Sequence, residues 1–161
     1  MVMQAKPRSA STITMTEIVL PFHANVAGNM HGGEVMKLMD SAAGVVAARH
    51  CQCNAVTASV TQLSFIEPIF VGDLVICTAE LHYTGRTSME VYVCVKAEEL
   101  ERGIIKNVSE GFFFMVALDR NGRPTEVPPL VIENEEQRRC FEAAQLRITQ
   151  AKQAKSREGK C

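Results

Sequence analysis

The sequence predicts an α+β fold in which one antiparallel sheet wraps around one long central helix, with a further helix at the C-terminus. Three features carry that expectation. One stretch with helical periodicity follows a glycine-rich loop, nearly everything from Asn54 to Leu118 has strand character, and a charged amphipathic tail follows Val127-Pro128-Pro129.

The elements follow in order. Residues 1–10 read as a flexible N-terminal arm. Ser11–Leu20 is rich in Thr, Ile and Val and reads as a first strand, stopped by Pro21. The loop from Phe22 to Gly33 opens a helix over about Gly33–His50, where Val35, Leu38, Met39, Ala42, Val45 and Val46 recur at three- and four-residue spacings. In the strand Ala55–Phe65 the apolar phase passes from Val56/Ala58/Val60 to Leu63/Phe65, which predicts a bulge near Gln62. Val75, Cys77, Ala79, Leu81 and Tyr83 alternate with polar residues, as do Met89, Val91, Val93, Val95 and Ala97. Thr84-Gly85-Arg86-Thr87 supplies the hairpin turn between these two strands. Phe112-Phe113-Phe114 in the last strand puts aromatic rings on both sheet faces. One face lies under the helix, and the other calls for a partner. In the tail, Asn134 and Gln137 have the spacing of a capping box, and the helix they open turns basic from Ala143 onward. The expected division is therefore an arm over 1–10, a domain over 11–129 and a helical tail over 130–161.

Composition narrows the function. The 161 residues are 47% hydrophobic and 22% charged, enough to bury one sizeable core. Seventeen basic against eighteen acidic side chains give a net charge of −1, which argues against a general nucleic-acid binder. No apolar run approaches the roughly 20 residues of a membrane span, and the N-terminus lacks the apolar core of a secretory signal. The expectation is a cytoplasmic protein with no membrane and no nucleic-acid partner. The six cysteines read as reduced thiols. The one metal-like cluster, His50-Cys51-Gln52-Cys53, has no second Cys/His pair to answer it, so neither a metal nor a cofactor is implied.

Two features carry chemistry. Asp40 stands in an otherwise small and apolar helix segment, where a carboxylate meets a desolvation penalty and a raised pKa would suit a general base. The competing reading is a solvent-facing Asp beside Lys37. The loop Asn25-Val26-Ala27-Gly28-Asn29-Met30-His31-Gly32-Gly33 enters the helix through two glycines, whose free N–H groups can hold a phosphate or a developing oxyanion. Its spacing fits neither nucleotide-binding glycine pattern, and there is no GxSxG nucleophile turn.

That loop, then Leu38-Met39-Asp40, then Thr84-Gly85-Arg86-Thr87-Ser88-Met89-Glu90, together resemble the acyl-CoA thioesterase branch of the hotdog-fold superfamily, of the bacterial short acyl-CoA hydrolase and mammalian cytosolic acyl-CoA hydrolase type. The resemblance runs from about Thr12 to Pro129. It implies a helix wrapped by its sheet and a dimer with active sites at the subunit interface. It also implies hydrolysis of acyl-CoA to free fatty acid and CoA.

Residue by residue, Asp40 matches the catalytic aspartate, as general base or as nucleophile. Asn25 matches the asparagine that positions the thioester or the lytic water from the facing subunit. Gly33, with Gly32, would hold the oxyanion. His31 reads as a loop-packing or capping residue. Arg86, with Thr87 and Ser88, is the expected cradle for CoA phosphates. Self-association as a dimer, and as a tetramer or hexamer, is expected. The alternative reading is a non-catalytic or weakly active hotdog regulator that binds acyl-CoA or a nucleotide. The presence of both Asn25 and Asp40 favours the enzyme.

Overall fold

The computed structural model describes residues 2–159; Lys160 and Cys161, counted above with the basic tail, lie outside the described residues, as does Met1. The chain forms strands β1 (Lys6–Pro7) and β2 (Ile13–Ile18), helix α1 (Gly32–Cys51), strands β3 (Asn54–Phe65), β4 (Leu74–Thr84), β5 (Ser88–Glu99), β6 (Ile104–Leu118) and β7 (Leu130–Val131), and helix α2 (Glu135–Glu158). Five strands make one antiparallel sheet in the order β2-β4-β5-β6-β3, wrapped around α1. This is the hotdog arrangement. Among the described residues no helix is long and apolar enough to cross a membrane.

The core lies between α1 and the concave sheet face. Val75, Cys77, Ala79, Leu81, Met89, Val91, Val93, Val95 and Ala97 are fully buried there, so the alternation in β4 and β5 reads through to packing. From α1, Val35, Met39, Ala42, Ala43, Val46 and Ala47 face them. Val45 does not belong to that face: it is exposed, as are Met36 and Asp40 on the other side of the helix. Successive helical residues are about 100° apart, so the residue next to a fully buried Met39 turns outward.

Two bulges revise the strand phases. In β3 the register with β6 slips between Thr57 and Ser59 and again between Thr61 and Ser64, with Gln62 at φ 52°. The second slip is the one expected. The first inverts the start of the strand, so Val56 is exposed while Thr57 reaches inward to the buried Met115. In β4 a slip between Leu81 and Tyr83 sends Tyr83 out to the opposite sheet face, against Phe141 of α2 at 4.9 Å between ring centroids.

That packing also changes the expectation for the outer face. Part of it is covered by the chain itself. Arg147 of α2 donates to Glu90 at 2.6 and 3.3 Å and lies 3.7 Å from the centroid of the Phe112 ring. Phe113 points into the core, while Phe112 and Phe114 are half-buried on the outer side. Asn134 caps α2 through Gln137 N–H (2.9 Å), and the Gln137 side chain accepts from Glu133 N–H (3.0 Å).

The arm expected over residues 1–10 is anchored from Lys6 onward. β1 pairs in parallel with β7, and Lys6 donates to the Pro129 carbonyl through its backbone and to the His50 carbonyl through Nζ. Arg8 is buried, donating to the Leu81 carbonyl, Glu80 and Glu136. An isolated Lys-Pro-Arg stretch carries no periodic signal, so these long-range contacts had no local signature.

Candidate active site

The loop before α1 is built by Asn25. Its Oδ1 accepts from Ala27 N–H (3.0 Å) and Asn29 N–H (3.2 Å), while its backbone N–H donates to the Asn29 carbonyl (2.7 Å). An Asx turn of this kind closes through Gly28 at φ 85°, a conformation that costs a glycine little. With Oδ1 engaged, the Nδ2 group is the part of Asn25 left to donate. Met30 N–H donates to the Ile69 carbonyl (2.7 Å) and pins the far end of the loop to residues 66–73.

Asn25 and Gly32 line a cleft of about 360 Å³ together with Met30, Val35, Phe65 and Val108. Its floor is apolar, since Met30, Val35, Ile69 and Val108 are all buried. A polar rim over an apolar floor suits a ligand with a reactive polar head and a hydrocarbon chain.

Gly33 stands differently from the expectation. Its N–H donates to the His31 ring at Nδ1 (3.0 Å), because His31 is the N-cap of α1. The capping reading of His31 therefore holds, and it takes up the amide that was expected to meet an oxyanion. Gly32 N–H has no acceptor among the described residues, and Gly32 is the glycine that lines the cleft.

Asp40 is exposed in this single chain, contrary to the buried carboxylate expected of a desolvated base. One strong contact holds it: Thr57 Oγ1 donates to Asp40 Oδ1 at 2.6 Å. Sequence reasoning missed Thr57, since the apparent alternation of Val56, Ala58 and Val60 put it on the outer face. The signal that would have found it is a phase break at Ala58, where the bulge turns Thr57 toward the helix.

Asp40 does not line the cleft of Asn25 and Gly32. Gly32 and Asp40 are eight residues apart on one helix, about 12 Å along its axis. No single carbonyl carbon can touch both within one chain. The Arg86 turn belongs to the Asp40 end of the sheet: Ser88 pairs with Val116, which pairs with Val56, the neighbour of Thr57. That turn is fixed by Gly85 N–H on the Ser88 carbonyl, Ala117 N–H on the Thr87 carbonyl and Val127 N–H on the Arg86 carbonyl. Its Arg86 side chain is exposed and forms no ion pair among the described residues.

Two of the thiols are held in the protonated, poorly nucleophilic form. Burial pushes Cys77 up to about 12, and burial with the neighbouring Cys51 thiol pushes Cys53 up to about 11.

Residues 27–104 match the profile of the thioesterase superfamily. A cytosolic acyl coenzyme A thioester hydrolase of Rattus norvegicus is 38% identical over 146 residues, which are 89% of this chain and 38% of that protein. The chain thus spans well under half the length of that curated relative. A crystal structure of an apo-hexameric acyl-CoA thioesterase superimposes with a TM-score of 0.90 at 36% identity, covering 94% of this chain and 97% of the other. The acyl-CoA hydrolase of Staphylococcus aureus, solved with butyryl coenzyme A, coenzyme A and coenzyme A disulfide, superimposes with a TM-score of 0.88 at 28% identity, covering 97% and 95%. Structures of its variants at one asparagine, one aspartate and one threonine are equally alike. Sheet order, central helix and sequence likeness agree: the chain belongs to the hotdog-fold thioesterase superfamily, in its acyl-CoA thioester hydrolase family.

Proposed function

We propose that the protein hydrolyses acyl-CoA to free fatty acid and CoA, in a site completed by two copies of the chain. The observation that carries this reading is the pair of half-sites. One copy supplies the Asp40 carboxylate, held by Thr57 at 2.6 Å, and the other supplies Asn25 and Gly32 at the mouth of an apolar cleft.

The chemistry follows from the donors. Asp40 takes a proton from water as the water oxygen attacks the thioester carbon; acting instead as nucleophile, it forms an anhydride that water then opens. The carbonyl oxygen becomes an oxyanion, stabilised by Gly32 N–H at the positive end of α1 and by the Asn25 amide. Collapse breaks the C–S bond, and the departing CoA thiolate takes up a proton. The acyl chain lies on the floor of Met30, Val35, Ile69 and Val108. The exposed Arg86 guanidinium, with Thr87 and Ser88, binds CoA phosphate.

The edge of the sheet supports the pairing. β3 is an edge strand of twelve residues without a charge or a proline, so it lacks the usual protections against pairing with another chain. An antiparallel pairing of two β3 edges about a two-fold axis sets the Asp40 end of one copy beside the Phe65 end of the other. The same pairing covers Val56 and Phe65, both exposed in one chain. Three positions altered in the S. aureus hydrolase, an Asn, an Asp and a Thr, are separated by the same intervals as Asn25, Asp40 and Thr57, which supports all three assignments. Cytoplasmic work belongs to this reading; the five cysteines among the described residues are free thiols.

Thiol release measured over acyl-CoAs of increasing chain length tests the reading. Release with at least one chain length is expected, and no release from any of them contradicts it.

A further inference from the structure

The first turn of α1 distributes its amides unevenly. An α-helix leaves its first four N–H groups without partners inside the helix. In α1 these belong to the N-cap His31 and to Gly32, Gly33 and Glu34, since Val35 N–H makes the first i→i−4 bond, to the His31 carbonyl (3.2 Å). His31 satisfies two of them: its carbonyl accepts from Glu34 (2.9 Å), and its ring Nδ1 accepts from Gly33 (3.0 Å). With His31 N–H bonded as well, Gly32 N–H is the one left over among the described residues, at the wall of the cleft that Asn25 shares.

His31 is itself braced from behind. Its backbone N–H donates to the His23 carbonyl at 2.7 Å, while the buried His23 ring accepts from Leu20 N–H (2.9 Å) and lies 3.1 Å from Glu17. A Cβ on Gly33 would stand 3.1 Å from His31 Nδ1, tighter than an ordinary contact, so the ring closes best over a glycine. Two free glycine amides in succession would offer a thioester oxygen two binding positions, only one of them in register with Asn25.

We propose that His31 is a positioning residue: by occupying the Gly33 amide it fixes Gly32 N–H as the one backbone donor to the thioester oxygen. The inference rests on the hydrolase reading given above. It differs from a plain stability role because an acceptor at the N-cap, not the imidazole as such, is what the site needs.

The test compares His31→Ala with His31→Asn, an N-cap residue whose side-chain oxygen can accept from the same amide. In His31→Ala, kcat should fall by about 10- to 100-fold with KM nearly unchanged, the scale of a displaced reacting atom. In His31→Asn most of that loss should be recovered. Undiminished kcat in His31→Ala overturns the proposal, as does an Asn variant no better than the Ala variant. A second measurement follows amide exchange in protein labelled with [15N]glycine. Gly33 should exchange several-fold more slowly than Gly32 in the wild type and in His31→Asn, and lose that protection in His31→Ala. A wild-type Gly33 that exchanges as fast as Gly32 overturns the cap whatever the activity. Protected Gly33 in a wild-type protein that releases no thiol overturns instead the hydrolase reading, and with it the role of Gly32 as donor.

Discussion

In the proposed hydrolysis Asp40 and Thr57 divide one task between them. The carboxylate would do the chemistry, and the hydroxyl at 2.6 Å ties it to β3. Asp40→Asn should therefore lower hydrolysis by about 10²–10⁴, the usual loss when general acid–base work is removed, with the fold intact. Thr57→Val keeps the shape and removes one hydrogen bond to a charge, so a loss of about 10- to 100-fold is expected. Steady-state kinetics on both variants checks the order; a Thr57→Val loss larger than that of Asp40→Asn would contradict the division. His50 makes a separate prediction. It is fully buried at the end of α1, 2.7 Å from the Pro128 carbonyl, with Nδ1 unpartnered among the described residues. Burial holds it below its ordinary 6.5, with nearby Lys6 adding to the effect and the Pro128 hydrogen bond opposing it. Below pH 6.5 the unfolded chain therefore takes up a proton that the folded chain refuses, and stability falls as pH drops through that range. Thermal unfolding against pH should show this acid limb in the wild type and a weaker one in His50→Gln. An unchanged limb would remove His50 as its source. Asp40 was legible as a carboxylate set in an apolar helical pattern, whereas Asn25 and His31 were singled out through the family resemblance. Thr57 was not, because its role depends on a contact between helix and strand that a bulge creates.

At the scale of elements, regular alternation was readable and its interruptions were only partly so. β4 and β5 bury the side chains that their period-two pattern assigns, up to Leu81. The bulge at Gln62 showed as a change of apolar phase, but the one at Ala58 was masked by small residues on both sides of it. The slip after Leu81 was masked in turn because Tyr83 is apolar enough for either face. α2 illustrates what composition hides. Its second half shows in the sequence only as a run of basic residues, yet Arg147 is turned onto the sheet, where it pairs with a Glu90 side chain that is 3% exposed. Removing the cation leaves that carboxylate buried and unpaired. Arg147→Ala should cost about 3–5 kcal/mol in urea unfolding, far above the loss expected at an exposed residue of the same helix. A loss below about 1 kcal/mol would show that α2 lies on the sheet without helping to hold it.

The whole molecule is more than one chain in this account. Its fold was legible from one helix, one run of strands and their order, and the family likeness carries that fold over nearly all of the chain. The completed site was not legible to the same degree, since it depends on which ends of two copies meet. Within one chain Asp40 does not line the cleft of Asn25, and in the proposed site the uncharged β3 edge is the surface that joins the two. Subunit complementation tests this most directly. Asp40→Asn and Asn25→Ala proteins, each inactive alone, are dissociated, mixed and reassociated, and thiol release is measured. In a mixed pair one site inherits both lesions and the other neither, so about half of the sites in each heterodimer should regain activity by symmetry. No recovery in verified heterodimers, or a fully active monomer in sedimentation, would contradict a site shared between subunits.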